Sequence, residues 1–323
     1  MFFSAISRSV VQHIYFTLVD AVRAAKTEEL GRNSPARFLL HFRRMARQRL
    51  GQHFLSDAGW REQIARAIGV SPDSTLRPGA GELKSATAEA YCWIEVGAGH
   101  GEMTEHLLST GASVYAVELD ALLAGRLQKL AKRFPDLTVV HEDVLETDLA
   151  AIAGGRRIRL YGNLPYYITS PILHHFFTFA DLIDEIHIVI QEEVALRLTA
   201  KPETKQYGYL SVVTQLYTRP EFVMRIPRGA FSPPPEVGSA LVTLRLPGER
   251  ASLSLGDEAA FLDFVKLSFA QKRKTLVNNL RSSATPEVVR EALAAQNLRT
   301  DARAEQLPIA QFAVLYASLR ASG

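Results

Sequence analysis

The run Glu95-Val96-Gly97-Ala98-Gly99-His100-Gly101 has the residue types of a ligand cradle. Glycines let a chain turn sharply and bring its backbone close to a ligand with no Cβ in the way. The spacing is G-x-G-x-G, whereas dinucleotide folds favour G-x-G-x-x-G with the pyrophosphate on a helix N-terminus. Glu118 follows 21 residues after Gly97, where a carboxylate can accept from both hydroxyls of a ribose. Asp143 ends the third strand region, placed to accept from an adenine amino group. Any one of these carboxylates alone reads as a solvated strand end. Their joint placement at successive strand ends favours a nucleoside site.

A second constellation, Asn163-Leu164-Pro165-Tyr166-Tyr167-Ile168-Thr169, answers a specific chemical difficulty. An exocyclic amine of adenine is a poor nucleophile, because its lone pair is delocalised into the ring. The Asn163 side-chain oxygen and a main-chain carbonyl fixed by the adjacent proline can each accept one amine hydrogen. The nitrogen then turns tetrahedral and aims its lone pair at an electrophilic methyl. Positioning and polarisation replace a strong general base. Tyr166 offers a ring on which a target base can stack after leaving its helix. The early third glycine and the amine-accepting loop together favour S-adenosylmethionine over NAD.

Alternating strands and amphipathic helices from residue 91 position these groups. Tyr91–Val96, Ser113–Leu119, Leu137–Val140 and Arg157–Tyr161 read as strands, and residues 102–109 and 121–133 as helices between them. That alternation predicts a mostly parallel, doubly wound sheet. Further strands are expected near Glu185–Ile190, Glu221–Ile226 and Ser239–Leu246, with a helix through Glu193–Leu198. After Pro247-Gly248 the pattern is wholly helical, and Phe261, Phe264, Val265 and Phe269 mark one buried face. Residues 71–90, rich in Pro, Gly, Ser, Thr and Ala, read as a surface insertion.

Composition narrows the function classes. The 323 residues suffice for two domains, and 47% hydrophobic with 22% charged residues is a globular composition. The net charge of +3 excludes a histone-like binder, yet residues 1–50 carry nine Lys/Arg against three Asp/Glu. A lone cysteine, Cys92, excludes an intrachain disulfide framework and a Cys-based zinc site, and reads as an inert core thiol. The histidines form no metal constellation: His174-His175 reads as packing, and Glu192-Glu193 as a helix start. No apolar run reaches the roughly eighteen residues of a membrane span, and Met1-Phe2-Phe3 lacks the basic start of a secretion signal. A cytoplasmic, monomeric protein without metal is expected. Val10, Ile14, Leu18 and Val22 could line one helix. Three alternatives stand for residues 1–44: a targeting peptide, an accessory helix, or sequence upstream of a start at Met45, which is favoured.

The ordered motifs closely resemble the ribosomal RNA small-subunit adenine dimethyltransferase family, the KsgA type. They are Gly51-Gln52-His53-Phe54-Leu55, the glycine turn, Val117-Glu118-Leu119-Asp120, the Asn163–Thr169 loop, Tyr207-Gly208-Tyr209-Leu210-Ser211, Phe231-Ser232-Pro233-Pro234-Pro235-Glu236-Val237 and Gln271-Lys272-Arg273-Lys274-Thr275. The resemblance spans about residues 46 to 320. It implies an α/β fold: a Rossmann-like S-adenosylmethionine-dependent methyltransferase sheet with a small all-helical C-terminal domain. The expected divisions are an extension at 1–44, a catalytic domain at 45–248 and a helical RNA-binding domain at 249–323. The implied cofactor residues are His53, Leu55, Gly97, Glu118, Asp143 and Asn163, with His53 standing where the family more usually has Asn. The implied catalytic residues are Asn163, Leu164, Pro165, Tyr166 and Phe231, the last clamping a flipped adenine against Tyr166.

The family dimethylates two adjacent adenines in the 3′-terminal stem-loop of 16S rRNA during assembly, so the implied partner is small-subunit rRNA in an immature 30S particle. Alternatives are a 23S rRNA dimethylase of the macrolide-resistance type, or a non-catalytic assembly or mitochondrial transcription factor on the same fold. Leu164 and the F-S-P-P-P run favour the small-subunit enzyme, and a DNA adenine methyltransferase would more usually carry Pro in place of Leu164. Lys266, Lys272, Arg273, Lys274 and Arg281 span a stretch with no acidic residue, and are expected to contact RNA phosphates. Arg43, Arg44, Arg47 and Arg49 could extend that surface.

Overall fold

The computed structural model describes residues 53–70, 90–253 and 255–321. The expected N-terminal helix, the Met45 start, Arg43, Arg44, Arg47 and Arg49, and the insertion at 71–89 lie outside the described residues. By its contacts the chain divides into two units, Met1–His53 and Phe54–Gly323.

Five apolar or half-apolar residues and Glu95 make β2 (Tyr91–Val96), and all six are buried. Burial along a whole strand is what a parallel sheet covered on both faces requires. β2 pairs in parallel with β3 (Val114–Val117) on one side and β5 (Arg157–Asn163) on the other. β4 (Leu137–Val140) extends the first side, and β6 (Ile183–Gln191) the second. The sheet order is β4-β3-β2-β5-β6-β9-β7, with β9 (Ser239–Arg245) inserted antiparallel between β6 and β7 (Arg219–Ile226). The expected Rossmann-like sheet is therefore present. Its strand order reverses between β2 and β5, and a crevice opens at the carboxyl ends of strands on either side of such a reversal.

Helices pack both faces. α1 (Ala58–Ala67), α2 (Glu102–Leu108) and α3 (Ala121–Ala131) place Ile64, Leu107 and Leu127 in a buried cluster with Trp93 and Val114. On the other face, α4 (Leu149–Ala153), α5 (Thr169–Phe177), α6 (Glu192–Leu198) and α7 (Tyr209–Tyr217) follow the strands. The C-terminal part is helical as expected: α8 (Glu258–Ser268), α9 (Leu276–Asn279), α10 (Pro286–Ala294) and α11 (Ile309–Ala321). Phe261, Phe264 and Val265 are buried, while Phe269, at the end of α8, is partly buried. These helices share one apolar cluster with Ile158, Ile186 and Leu244 of the sheet.

Several boundaries differ by one to a few residues from the sequence pattern, and two of them have a clear local cause. β3 stops at Val117 because Asp120 caps α3, its carboxylate accepting from Leu122 N and Leu123 N; this turns the chain away from the sheet. β5 continues to Asn163 because Gly162 and Asn163 still pair with Ile188 and Val189. A two-stranded ribbon of β1 (Phe54–Leu55) and β8 (Phe231–Ser232) was not anticipated. Among the described residues, no helix is long and apolar enough to cross a membrane.

Candidate active site

The glycine turn sits at the carboxyl end of β2, at the point of strand reversal. Gly97, Gly99 and Gly101 adopt φ of +68°, +61° and +89°, a region that L side chains reach only at a cost. Space is equally restrictive at Gly101, where an added Cβ would lie 2.9 Å from Leu130 Cδ2. Gly97 donates to the Val117 carbonyl (2.9 Å), which continues the β2–β3 ladder into the turn.

Glu118, the first residue after β3, is only 2% exposed. Its Oε2 accepts from Gly99 N at 2.9 Å and its Oε1 from Asp120 N at 2.9 Å. The carboxylate thus clasps the glycine turn from the neighbouring strand. A carboxylate offers about four lone-pair positions, so roughly two stay available to ribose hydroxyls. Glu95 lies below the turn, 2% exposed, and accepts from the Thr104 hydroxyl of α2. Burial pushes its carboxyl up to about 8; the Thr104 bond pulls it down, and the charges of Glu102 and Glu118 add to the rise.

Asp143 lies three residues beyond β4, in a turn rather than at the strand end itself. One carboxylate oxygen accepts from Leu145 N (3.1 Å), and the Asp143 carbonyl accepts from the Thr147 hydroxyl (3.0 Å). The turn is fixed, and the side chain is half-buried.

Asn163 closes β5, adjoining β2 through the Val96–Gly162 pair. An ideal Cβ on Gly97 would stand 4.0 Å from the Asn163 carbonyl oxygen, so the glycine turn and the Asn163 loop meet directly. Leu164 N donates to the Val189 carbonyl of β6 (3.0 Å), and the Leu164 side chain is buried. The Pro165 carbonyl accepts from Ile168 N and the Thr169 hydroxyl. Among the described residues no donor takes the Leu164 carbonyl. The tightest packing is at Gly162, where a Cβ would lie 2.7 Å from Leu164 Cδ2 and 3.2 Å from the Val96 carbonyl. Tyr166 is half-buried, and its hydroxyl bonds Ser239 Oγ on β9 at 2.6 Å. Burial raises the Tyr166 phenol above its ordinary value.

Phe231 is 3% exposed and pairs with Leu55 across the β1–β8 ribbon. Both belong to one apolar cluster with Ala98 of the glycine turn. Phe54, on the same ribbon, meets Gly99 from the other side: a Cβ there would lie 3.3 Å from its ring, and the ring meets His100 edge-on at 4.7 Å. Arg61 holds the ribbon by donating to the Leu55 and Ser56 carbonyls. His53 closes the first unit, whereas the other expected site residues belong to the second.

Three contributors escaped sequence reasoning. Phe54 stood inside a recognised motif without a role, Glu95 inside the glycine run, and Ser239 carried no signal. Cys92 is fully buried, which raises its thiol pKa, as suits a core thiol. His174 stacks on Tyr209 and His175 bonds the Thr147 carbonyl, both packing roles. Glu192 and Glu193 fall in the first turn of α6. Among the described residues, no group of three or more His, Cys, Asp or Glu could hold a metal ion.

Of the expected RNA contacts, Lys266 is exposed in the last turn of α8, Lys272, Arg273 and Lys274 are exposed in the α8–α9 turn, and Arg281 is exposed just after α9.

Comparison with known proteins places these features in context. Residues 43–321 match the model of the ribosomal RNA adenine dimethylase family. A ribosomal RNA small subunit methyltransferase A of Koribacter versatilis (strain Ellin345) is 38% identical over 285 residues, covering 84% of this chain and 94% of the relative. A dimethyladenosine transferase from Plasmodium falciparum shares the fold, with TM-score 0.62 and 22% identity over 76% of this chain and 97% of that one. The 23S rRNA methyltransferase ErmE aligns with TM-score 0.58 and 25% identity, over 83% of this chain and 99% of its own.

Proposed function

The chain belongs to the ribosomal RNA adenine dimethylase family, and from that premise we propose that it methylates the exocyclic amines of two adjacent adenines in the 3′-terminal stem-loop of 16S rRNA. It is an S-adenosylmethionine-dependent 16S rRNA adenine dimethyltransferase. We take its substrate to be an immature 30S particle, met by a monomer in the cytoplasm, with residues 249–323 as the RNA-binding part.

The donor set fits the cofactor. We take the glycine backbone at positive φ, the Glu118 carboxylate with lone pairs to spare, and half-buried Asp143 as the groups that would hold it. Bound there, S-adenosylmethionine supplies an electrophilic methyl on a sulfonium.

The observation that carries the reading is the Leu164 carbonyl, held beside Asn163 with no donor of the described chain upon it. Together with the Asn163 side-chain oxygen it accepts both hydrogens of an adenine amine, which withdraws the nitrogen lone pair from the ring. With the cofactor bound, the nitrogen so held would be aimed at the methyl carbon; its new bond would replace the carbon–sulfur bond, and the amine proton would leave to solvent. Tyr166, anchored through Ser239, supplies one stacking face; Phe231 supplies the other. Repetition with the monomethylated amine requires only one accepted hydrogen, so one of the same two acceptors suffices for the second transfer.

Primer extension on small-subunit rRNA from cells lacking the gene tests the proposal. Dimethylated adenines stop reverse transcriptase, so loss of the terminal-loop stop is expected. A stop that persists overturns it.

A further inference from the structure

Two loops distant in sequence are joined at the surface. The first connects α6 to α7 and carries Lys201 and Lys205; the second connects α8 to α9 and carries Lys272, Arg273 and Lys274. The Lys272 ammonium donates to the Lys205 carbonyl at 2.6 Å. All five cations are exposed, and none makes an ion pair with another described residue. Glu203 is the one carboxylate on either loop.

Both loops are held in shape. In the first, Thr204 Oγ1 bonds the Lys201 carbonyl (2.7 Å), and Glu203, at φ +68°, donates its N–H to the Glu305 carbonyl (2.8 Å). Buried Tyr207 donates its hydroxyl to the Leu307 carbonyl (3.0 Å), and Gln215 holds the Leu198 and Ala200 carbonyls. In the second, the Asn279 amide donates to the Ser268 and Gln271 carbonyls at 2.6 and 3.2 Å. A cation cluster on fixed backbone keeps its charges together without the cost of ordering the main chain, which a cluster on loose chain must still meet.

We propose that Lys201 and Lys205, with Lys272 to Lys274, form one continuous docking surface for the sugar–phosphate backbone of the substrate RNA; this rests on the rRNA reading above and extends the contact surface into the sheet-bearing part of the chain. Lysines are point charges without a planar fork, so four of the five cations suit phosphates rather than base edges. The surface is tied to the catalytic loop through packing. The first loop runs directly into α7, whose first residue Tyr209 stacks on His174 of α5, the helix that follows the Asn163 loop.

The test is binding of the full chain to a transcript of the 3′-terminal stem-loop region of 16S rRNA, followed by fluorescence anisotropy across a salt series. Each phosphate contact contributes about 0.7 to 0.9 to the slope of log affinity against log salt. The double variant K201A/K205A is expected to reduce that slope by about 1.5, with unchanged melting temperature and S-adenosylmethionine binding. Lys129→Ala with Lys132→Ala, on the exposed side and end of α3, should leave it unchanged. An unaltered slope in K201A/K205A overturns the surface, and so does an equal reduction in the α3 pair, which would reveal a diffuse charge effect. If wild-type protein neither binds the transcript nor methylates immature 30S particles, the rRNA reading fails as well, an outcome distinct from loss of the surface alone.

Discussion

Replacing Glu95 by Gln should change how the fold responds to pH. The Glu95 carboxyl is 2% exposed, bonded to Thr104, and pushed by burial from an ordinary 4.5 up to about 8. Between those two values the folded chain keeps a proton that the unfolded chain has released. Stability from this group is therefore fully present below about pH 4.5 and is lost as pH rises through about 8. The slope across the window is about 1.4 kcal/mol per pH unit, or about 5 kcal/mol in all. Gln keeps an acceptor oxygen for the Thr104 hydroxyl and cannot ionise. Urea unfolding of both proteins, followed by circular dichroism at about pH 5.5 and 7.5, measures the difference. Wild type should lose about 3 kcal/mol relative to Glu95→Gln over that interval. Parallel profiles would refute the reasoning, because they would mean that Glu95 is already ionised under the glycine turn.

Other substitutions probe the remaining parts. Glu118→Ala leaves the Gly99 and Asp120 N–H groups without their acceptor, costing about 1–3 kcal/mol for each that stays buried; calorimetry should show weakened S-adenosylmethionine binding alongside reduced stability. Tyr166→Ala should slow methyl transfer by about 10- to 100-fold, the worth of one base-stacking contact, while cofactor affinity measured by the same calorimetry is unchanged. Gly162→Ala forces a Cβ to within 2.7 Å of Leu164 Cδ2, so thermal melting should show a loss of about 1–3 kcal/mol. Methyl transfer should fall with it, because Leu164 carries the acceptor carbonyl.

The parallel half of the sheet was legible because its strands are short apolar runs separated by helical periodicity, and Tyr91–Val96 and Leu137–Val140 come out at the expected bounds. The glycine turn, Glu118 and Asn163 were legible as chemistry placed at strand ends. What the pattern did not reveal depends on partners remote in the chain. Ser239 anchors Tyr166 across 73 residues, and nothing local to a serine announces it. A two-residue strand such as β1 has no periodicity, so its pairing with β8 leaves no trace in spacing. Insertion of β9 between β6 and β7 is likewise a long-range choice, since alternation identifies a strand without fixing its neighbours. Glu118 illustrates a subtler gap. Its type and position suggested a carboxylate waiting for ribose, yet two of its lone pairs already organise the backbone that would receive the ligand.

The β1–β8 ribbon also sets a timetable for the nascent chain. Ser56 and Asp57 donate to the Ala230 carbonyl, a contact spanning 174 residues in the case of Ser56, while Phe54 and Leu55 pair with Ser232 and Phe231. Closure over so long a stretch comes late, after the intervening strands have given it something to close upon. The ribbon that pairs Phe54 and Leu55 with Ser232 and Phe231 cannot close until the ribosome has released residue 232. A chain arrested before that point can own a glycine turn and an Asn163 loop without owning a finished pocket. Completion of the pocket is thereby tied to the synthesis of residue 232 of 323.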